Sequence, residues 1–166
     1  MNDKNDEKLM KEFPGLYAQR SLPMSETCMC WGFSVGDGWF DLLHNLSQTI
    51  NMFIDHARDD IKREYYNANN LDWDAPVPKE VQDKMDALKV EATQVKEKFG
   101  GLRFYYDDNL PDEYSYKVYG AVHMAEMMST SICEDCGNPG KTVGKGWMRT
   151  NCEVCVERNK EPYNGN

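Results

Sequence analysis

Four cysteines near the C-terminal end of the chain have the spacing of metal ligands. They form two CxxC pairs, Cys133 with Cys136 and Cys152 with Cys155, and fifteen residues separate the pairs. Each CxxC turn can place two sulfur atoms on one edge of a tetrahedron, which is the geometry of structural zinc sites. The spacing lies within the range of zinc ribbons. We therefore predict one structural Zn²⁺ per chain, with no open position for water or substrate.

A second cysteine grouping is the pair Cys28 and Cys30. On a strand these residues face the same way, and with a histidine they could bind a metal. A free cysteine more often packs as a small apolar side chain. We therefore interpret the pair as two buried thiols.

Signatures of catalysis are weak in this sequence. Gly140–Thr142 reads GKT, but Asp135 stands where a phosphate-binding loop needs its first glycine. H-E-x-x-H and G-x-G-x-x-G do not occur. Adjacent acids point apart on a helix and usually stay solvated. We expect no enzyme activity.

The elements that position the cysteines follow from apolar periodicity. Alternation over residues 28–35 predicts a short strand. Steps of three and four from Trp39 to near Tyr65 predict a long helix. Further helices are expected after Pro78, with Ala92 on the buried side, and after Pro111, with Met128 on the buried side; the last helix leads directly to Cys133.

A hairpin is predicted between the last two helices. Alternating apolar residues flank Gly100 and Gly101, and a two-residue hairpin loop needs the positive φ angles that glycine adopts readily. The predicted fold is therefore α+β: about three helices packed on a small antiparallel sheet, with a C-terminal zinc ribbon in which Trp147 packs over the turn of the first CxxC pair as a small apolar core. The predicted division is an irregular N-terminal arm (1–27), a core domain (28–132), the ribbon (133–157) and a flexible tail (158–166).

Composition limits the classes of partner. The chain has 28 acidic and 19 basic residues and a net charge of -9, which opposes general binding to phosphate backbones and anionic membranes. An apolar N-terminal signal segment and a run of 18 or more apolar residues are both absent from the sequence. We therefore expect a cytoplasmic protein without a membrane partner, and six cysteines fit a reducing compartment.

Three stretches together resemble a known set of proteins. QVKEKFGGLRFYYD, a helix ending in AEMMSTSICEDCG, and GWMRTNCEVC are similar to small bacteriophage and bacterial proteins of uncharacterised function, which carry an FGGLRFY hairpin followed by a zinc ribbon. The resemblance covers roughly residues 37–156. It implies this architecture and a phage origin, with the host cytoplasm as location, and it implies no chemistry.

The function expected from these observations is binding to a protein. A small acidic protein without catalytic groupings fits a role in modulating or inhibiting a host enzyme or defence factor. The alternative is a nucleic-acid-binding ribbon module in transcription or replication, which the net charge disfavours; a homo-oligomer is also left open. The side chains expected at a partner surface are Tyr and Arg near the hairpin and the cations of the metal loop. They are Arg103, Tyr105, Tyr116, Lys141, Lys145 and Arg149.

Overall fold

The computed structural model describes residues 1–160 and has an α+β architecture, as predicted. Its α-helices are α1 (Asp3–Glu12), α2 (Phe40–Asn69), α3 (Lys79–Ala87), α4 (Asp112–Ser129) and α5 (Glu153–Lys160). Its strands are β1 (Phe33–Ser34), β2 (Val90–Lys98), β3 (Gly101–Asp108), β4 (Lys141–Val143) and β5 (Arg149–Asn151). The described residues thus contain five α-helices, whereas the sequence analysis predicts about three.

The central sheet has the strand order β1-β2-β3 and is mixed. The β2–β3 hairpin is antiparallel, as predicted, but β1 pairs with β2 in parallel, with Phe33 opposite Val95. Val95, Leu102 and Phe104 are buried on one face of this sheet. They belong to one hydrophobic core that also contains the buried side of α2.

The N-terminal segment is part of the core, and the prediction of an irregular arm over residues 1–27 is wrong for α1. Leu9, Leu16 and Tyr17 are almost completely buried. Tyr17 shares a hydrogen bond of 2.6 Å with the hydroxyl of Ser47 on α2. The backbone N–H of Ala92 donates to the carbonyl oxygen of Leu16 at 2.7 Å. The segment is held because its apolar residues fill the space between β2 and α2.

The segment 28–35 forms much less strand than predicted. Met29–Trp31 is a 3₁₀ turn, and only β1 is extended. Gly32 has φ +74°, which breaks the alternation on which the prediction depends. As a result Cys28 is exposed, and its interpretation as a buried thiol is wrong. Cys30 is half-buried, and its thiol donates to the carbonyl oxygen of Thr27 at 3.1 Å.

Helix α2 confirms the long helix predicted from Trp39, although it ends at Asn69 rather than near Tyr65. Leu43 and Ile50 are completely buried on its core side. The helix begins directly after a 3₁₀ turn, Asp37–Trp39, that contacts the metal ribbon.

Helix α3 begins after Pro78 as predicted but is shorter than expected. It ends at Ala87, and Ala92, which the sequence analysis places in this helix, lies in β2. Val90 and Ala92 are buried with a spacing of two residues, which is the period of a strand rather than of a helix.

Helix α4 covers the free edge of β3. The Ser129 hydroxyl accepts from the backbone N–H of Leu102 at 2.8 Å, and the Glu126 carboxylate accepts from that of Phe104 at 3.0 Å. These contacts satisfy edge donors that would otherwise be open to another strand. Val122 is buried on the core side of α4, whereas Met128, which the sequence analysis places there, is exposed.

The hairpin turn lies one residue earlier than predicted. Lys98 pairs with Gly101, so the two loop residues are Phe99 and Gly100. Both have positive φ angles, +56° and +80°, as the right-handed twist of a two-residue hairpin requires. Gly101 belongs to β3 and is not part of the loop.

Candidate metal centre

The four predicted cysteines converge at one point. The sulfur atoms of Cys133, Cys136, Cys152 and Cys155 all lie within 4.8 Å of one another. The sulfurs of Cys136 and Cys152 are 3.7 Å apart. Around a tetrahedral metal with metal–sulfur distances of about 2.3 Å, neighbouring sulfurs lie about 3.8 Å apart. The arrangement is therefore positioned to hold one metal ion.

Hydrogen bonds shape the first cysteine pair into a tight turn. The N–H of Gly137 donates to the carbonyl oxygen of Cys133 at 2.9 Å, and the N–H of Cys133 donates to that of Asn138 at 2.7 Å. We call residues 133–138 the knuckle. The amide of Asn151 donates to the sulfur of Cys133 at 3.6 Å. These contacts orient the sulfur of Cys133 toward the other ligands.

The thiols differ in their acidity. Burial raises the pKa of Cys133, but hydrogen bonds from backbone N–H groups and from Asn151 outweigh burial and lower that pKa to about 6. Burial, together with hydrogen bonding to the neighbouring thiols, raises the pKa of Cys155 to about 12. Cys133 is therefore the more acidic of these two thiols, and binding of a metal by all four cysteines would release protons to solvent.

The knuckle packs on the start of α2. The N–H of Gly38 donates to the carbonyl oxygen of Glu134 at 2.8 Å, and the indole N–H of Trp39 donates to that of Ile132 at 2.8 Å. A Cβ atom on Gly38 would overlap the carbonyl oxygen of Cys133 and would lie 2.6 Å from the backbone nitrogen of Cys136. Only glycine permits this approach of two backbones.

The side chain of Glu134 strengthens the same contact. Its carboxylate accepts from the N–H of Gly36 at 3.0 Å and lies 3.7 Å from the guanidinium of Arg149. Burial raises the pKa of Glu134 above its usual range. Arg149 also pairs with Asp135, which in turn pairs with Arg158 on α5. Arg149, predicted at a partner surface, therefore forms ion pairs within the ribbon.

The second half of the ribbon contacts the hairpin. The hydroxyl of Thr150 donates to the carbonyl oxygen of Gly100, and it also lies 2.9 Å from the hydroxyl of Thr142 on β4. The ribbon of β4, β5 and α5 is therefore fixed to the sheet as well as to α2. Helix α5 reaches Lys160, so the predicted flexible tail is wrong for residues 158–160, and residues 161–166 lie outside the described residues.

Trp147 does not pack over the knuckle as predicted; its side chain is 80% exposed. It lies in the loop between β4 and β5, near the exposed Lys145. With Phe99 it lines a shallow concavity of about 200 Å³. Phe99 lies directly before the Gly-Gly pair on which the hairpin prediction depends, and the pairing of Lys98 with Gly101 places it in the turn.

The other predicted partner residues lie on different surfaces. Arg103 and Tyr105 are on the side of the sheet opposite the core, where Arg103 pairs across the strands with Lys96. Tyr116 is on the outward side of α4. Lys141 is exposed on β4. The structure therefore does not bring all six residues into one site.

Residues 32–36 read GFSVG, which has the spacing of a serine nucleophile elbow. Ser34 lies within β1 opposite Lys96, rather than at a sharp strand-to-helix turn. The ring of His44 lies 2.6 Å from the carboxylate of Glu12. Among residues 1–160, no histidine forms a hydrogen bond with Ser34. The segment lacks the histidine that this motif requires.

Among residues 1–160, no helix has the length and apolar character needed to cross a membrane.

Comparison with known proteins gives no family for this chain. No protein-family model matches the sequence, and neither a curated protein nor a solved structure matches it.

Proposed function

We propose that this chain is a zinc-containing binding protein that contacts and modulates another protein through the outward side of α4. The metal has a structural role: it joins the knuckle, which packs on the start of α2, to the second half of the ribbon, which contacts the hairpin. Four thiolates fill a tetrahedral site and leave no position for substrate, which supports zinc in such a role. The resemblance to bacteriophage proteins makes a host protein the first partner class to test.

The identity of the metal is tested by elemental analysis of purified protein. We expect about one zinc per chain, and removal with a chelator should loosen the ribbon. Cys136→Ser should abolish tight zinc binding, whereas Cys28→Ser, at an exposed cysteine outside the cluster, should retain one equivalent. A folded wild-type protein that contains and binds no zinc would contradict the proposal.

The observation that carries the protein-binding function is the scarcity of charge on α4 beyond Lys117. Charged residues make up 28% of the chain, yet Glu126 is the only one between residues 118 and 133. The carboxylate of Glu126 is directed at the N–H of Phe104 and not at solvent alone. The outward side of α4 is instead composed of exposed aromatic and methionine side chains. They are Tyr116, Tyr119, His123, Met124 and Met127, which we call the α4 face.

The chemistry of the α4 face fits a protein interface. Cores of protein interfaces are depleted in charge and enriched in Tyr and Met. Beside the α4 face, Leu42, Thr49, Ala121, Met124 and Met128 line a shallow groove of about 180 Å³ between α2 and α4. Methionine side chains adapt to the shape of an apolar partner. The expected occupant is an apolar helix face of another protein, packed along α4.

Two charges placed on the α4 face test this function. Met124→Lys with Met127→Lys should abolish recovery of a stoichiometric host protein without unfolding the chain, because both side chains are exposed and lysine is a good helix former. Met24→Lys is the matched control, since Met24 is also exposed and lies outside α4. The measurement is affinity purification followed by binding of the purified partner by calorimetry.

Two outcomes would contradict the proposal. One is a partner that binds the double variant and the wild type equally well. The other is a wild-type dimer in light scattering that becomes monomeric in the double variant, because the occupant would then be a second copy of this chain.

A further inference from the structure

The geometry points to a second binding site, at which the hairpin tip and the ribbon loop bind single-stranded nucleic acid. The site comprises Phe99 and Trp147 as exposed rings and Lys98 and Lys145 as neighbouring cations; we call these four residues the tip site. It does not include the α4 face and does not depend on a protein partner.

Phe99 has a backbone conformation that the hairpin turn requires but that a phenylalanine side chain disfavours. Its φ of +56° lies in the left-handed region, where a bulky side chain is an outlier. Its ring is 67% exposed and gains little from burial. Strained residues cluster at sites where a ligand is bound. An exposed aromatic ring held in this way at a hairpin tip indicates a surface for a planar ligand.

Trp147 supplies a second ring beside the first. Both side chains, with Lys98 and Met148, line the same concavity of about 200 Å³. The contact of Thr150 with Gly100 fixes the ribbon to the hairpin, so the two rings are carried by elements that are joined next to the site. Two exposed rings in one concavity can each stack on a base.

Two cations lie next to these rings. Lys98 lines the same concavity, and Lys145 lies two residues before Trp147 in the exposed loop between β4 and β5; the one acid that lines the concavity is Glu97. The carboxylate of Glu97 accepts from the N–H of Gly100 at 2.5 Å. The Lys98 ammonium lies 5.4 Å from the centre of the Phe99 ring. Lys98 therefore lies next to the Phe99 ring in structure, and Lys145 lies next to Trp147 in sequence. This pairing of rings with cations matches the alternation of bases and phosphates in a nucleic-acid strand.

The net charge of -9 does not exclude this ligand, because a dense group of acids lies at the other end of the hairpin. Residues 107–113 contain four acids and no base, and Asp108 pairs with Val90 at the opposite end of the hairpin. Nine residues of β2 span about 26 Å, whereas the Debye length is about 8 Å at physiological ionic strength. The tip site is therefore screened from this acidic end.

The same arrangement favours a single strand over a duplex. In a duplex the bases are stacked on one another and cannot lie against Phe99 or Trp147. A rigid duplex would also extend many phosphates along the acidic body, whereas a short flexible strand contacts the tip site alone.

The test is fluorescence anisotropy with a labelled oligothymidylate of about 12 nucleotides, within the range of known single-strand sites. We expect binding at low salt that weakens as salt rises. Phe99→Asn and Trp147→Ala should each weaken binding at least about tenfold. Lys98→Ala and Lys145→Ala should each reduce the slope of log affinity against log salt by about 0.7.

Two variants separate loss of binding from loss of folding. Phe99→Asn creates an Asn-Gly loop, which is favoured for this hairpin turn, so its melting temperature should not fall. Trp31→Ala removes an equally exposed ring outside the tip site and should bind as the wild type does.

Any of three results would overturn the inference: no anisotropy change for the wild type at low salt, unchanged affinity in Phe99→Asn and Trp147→Ala, or equal affinity for a labelled polyglutamate. The last result would assign the site to an acidic polypeptide. The double variant of the α4 face should bind the oligonucleotide normally, so failure of the proposed protein partner would leave this result unaffected.

Discussion

The hydroxyl of Thr150 donates a hydrogen bond to the carbonyl oxygen of Gly100, with 2.5 Å between the two oxygens. Thr150 is completely buried, and fifty residues separate the pair in sequence. This contact joins the metal ribbon to the hairpin, so the two parts should unfold together.

Thr150→Val tests that connection. Valine keeps the shape of the side chain but leaves the buried carbonyl oxygen of Gly100 without this donor, which should lower the free energy of unfolding by about 1–3 kcal/mol. Thr49→Val is the control, because the exposed Thr49 hydroxyl donates only to Asn45 of its own helix. Its effect should stay within about 0.5 kcal/mol. Denaturant titration of the zinc-saturated proteins measures the free energy of unfolding of both variants. Equal losses would show that the hydrogen bond from Thr150 to Gly100 does not stabilise the fold.

Gly38→Ala should weaken the metal site from outside it. The new Cβ atom would push against the backbone of Cys133 and Cys136, and overpacking of this kind typically destabilises by about 1–3 kcal/mol. Zinc affinity should fall because the knuckle must move, and competition with a zinc-binding dye measures this fall. Gly15→Ala is the control, since a Cβ there meets nothing within 4 Å. Unchanged zinc affinity in Gly38→Ala would refute the coupling.

The register of the hairpin turn is tested by two alanine variants. Gly100→Ala places a Cβ at φ +80° and 2.6 Å from the Thr142 methyl group, which should cost at least about 1–2 kcal/mol. A Cβ atom in Gly101→Ala would lie 3.1 Å from the end of the Arg103 side chain, which can move aside. The loss of stability in Gly101→Ala should therefore be less than half of that in Gly100→Ala. Melting temperatures give the comparison. Equal losses would instead support a turn at Gly100 and Gly101.

Tyr114→Phe should have an effect that depends on alkaline pH. The Tyr114 hydroxyl donates to the Asp60 carboxylate at 2.6 Å, and this hydrogen bond, with burial, raises the pKa of Tyr114 to about 12. The folded state therefore holds the phenol proton more tightly than the unfolded state, whose pKa is about 10. The resulting stabilisation is complete below about pH 10 and is lost as pH rises toward 12.

At pH 7, Tyr114→Phe should lower the free energy of unfolding by about 1.5–3 kcal/mol, the range for hydrogen bonds to charged groups. The difference between wild type and variant should shrink from pH 10 to 12 in denaturant titrations. Tyr116→Phe, at an exposed tyrosine, provides the control. A difference that stays constant across this pH range would contradict the assignment.

Local patterns predicted the cysteine cluster and the long helices well. The cysteine spacing is local and almost sufficient, because each CxxC turn presents its two sulfurs together. The starts of α2 and α4 were likewise indicated by apolar periodicity and by Pro111. The core position of Leu9, Phe13 and Leu16 could also have been predicted, since their spacing of four and three residues is helical.

Contacts between distant residues were not predictable in the same way. Gly36 and Gly38 admit the backbone of a knuckle that begins 95 residues after Gly38, and no local pattern around these glycines indicates that contact. The turn at Phe99 contradicts local preference, since glycine fits a positive φ far better than phenylalanine. Its register depends on the pairing of β2 with β3 and on the ribbon against Gly100, which no short stretch of sequence encodes.

The packing of the knuckle on the start of α2 has a consequence for synthesis of the chain. The ribosome makes Gly36 98 residues before Glu134, an interval of about 5–20 s at ordinary elongation rates. During that time the indole of Trp39 has no Ile132 carbonyl to bond. We expect the nascent N-terminal half to remain protease-sensitive until the last cysteine has emerged and bound metal. The zinc supply at the moment of translation, rather than later, would then determine the yield of folded protein.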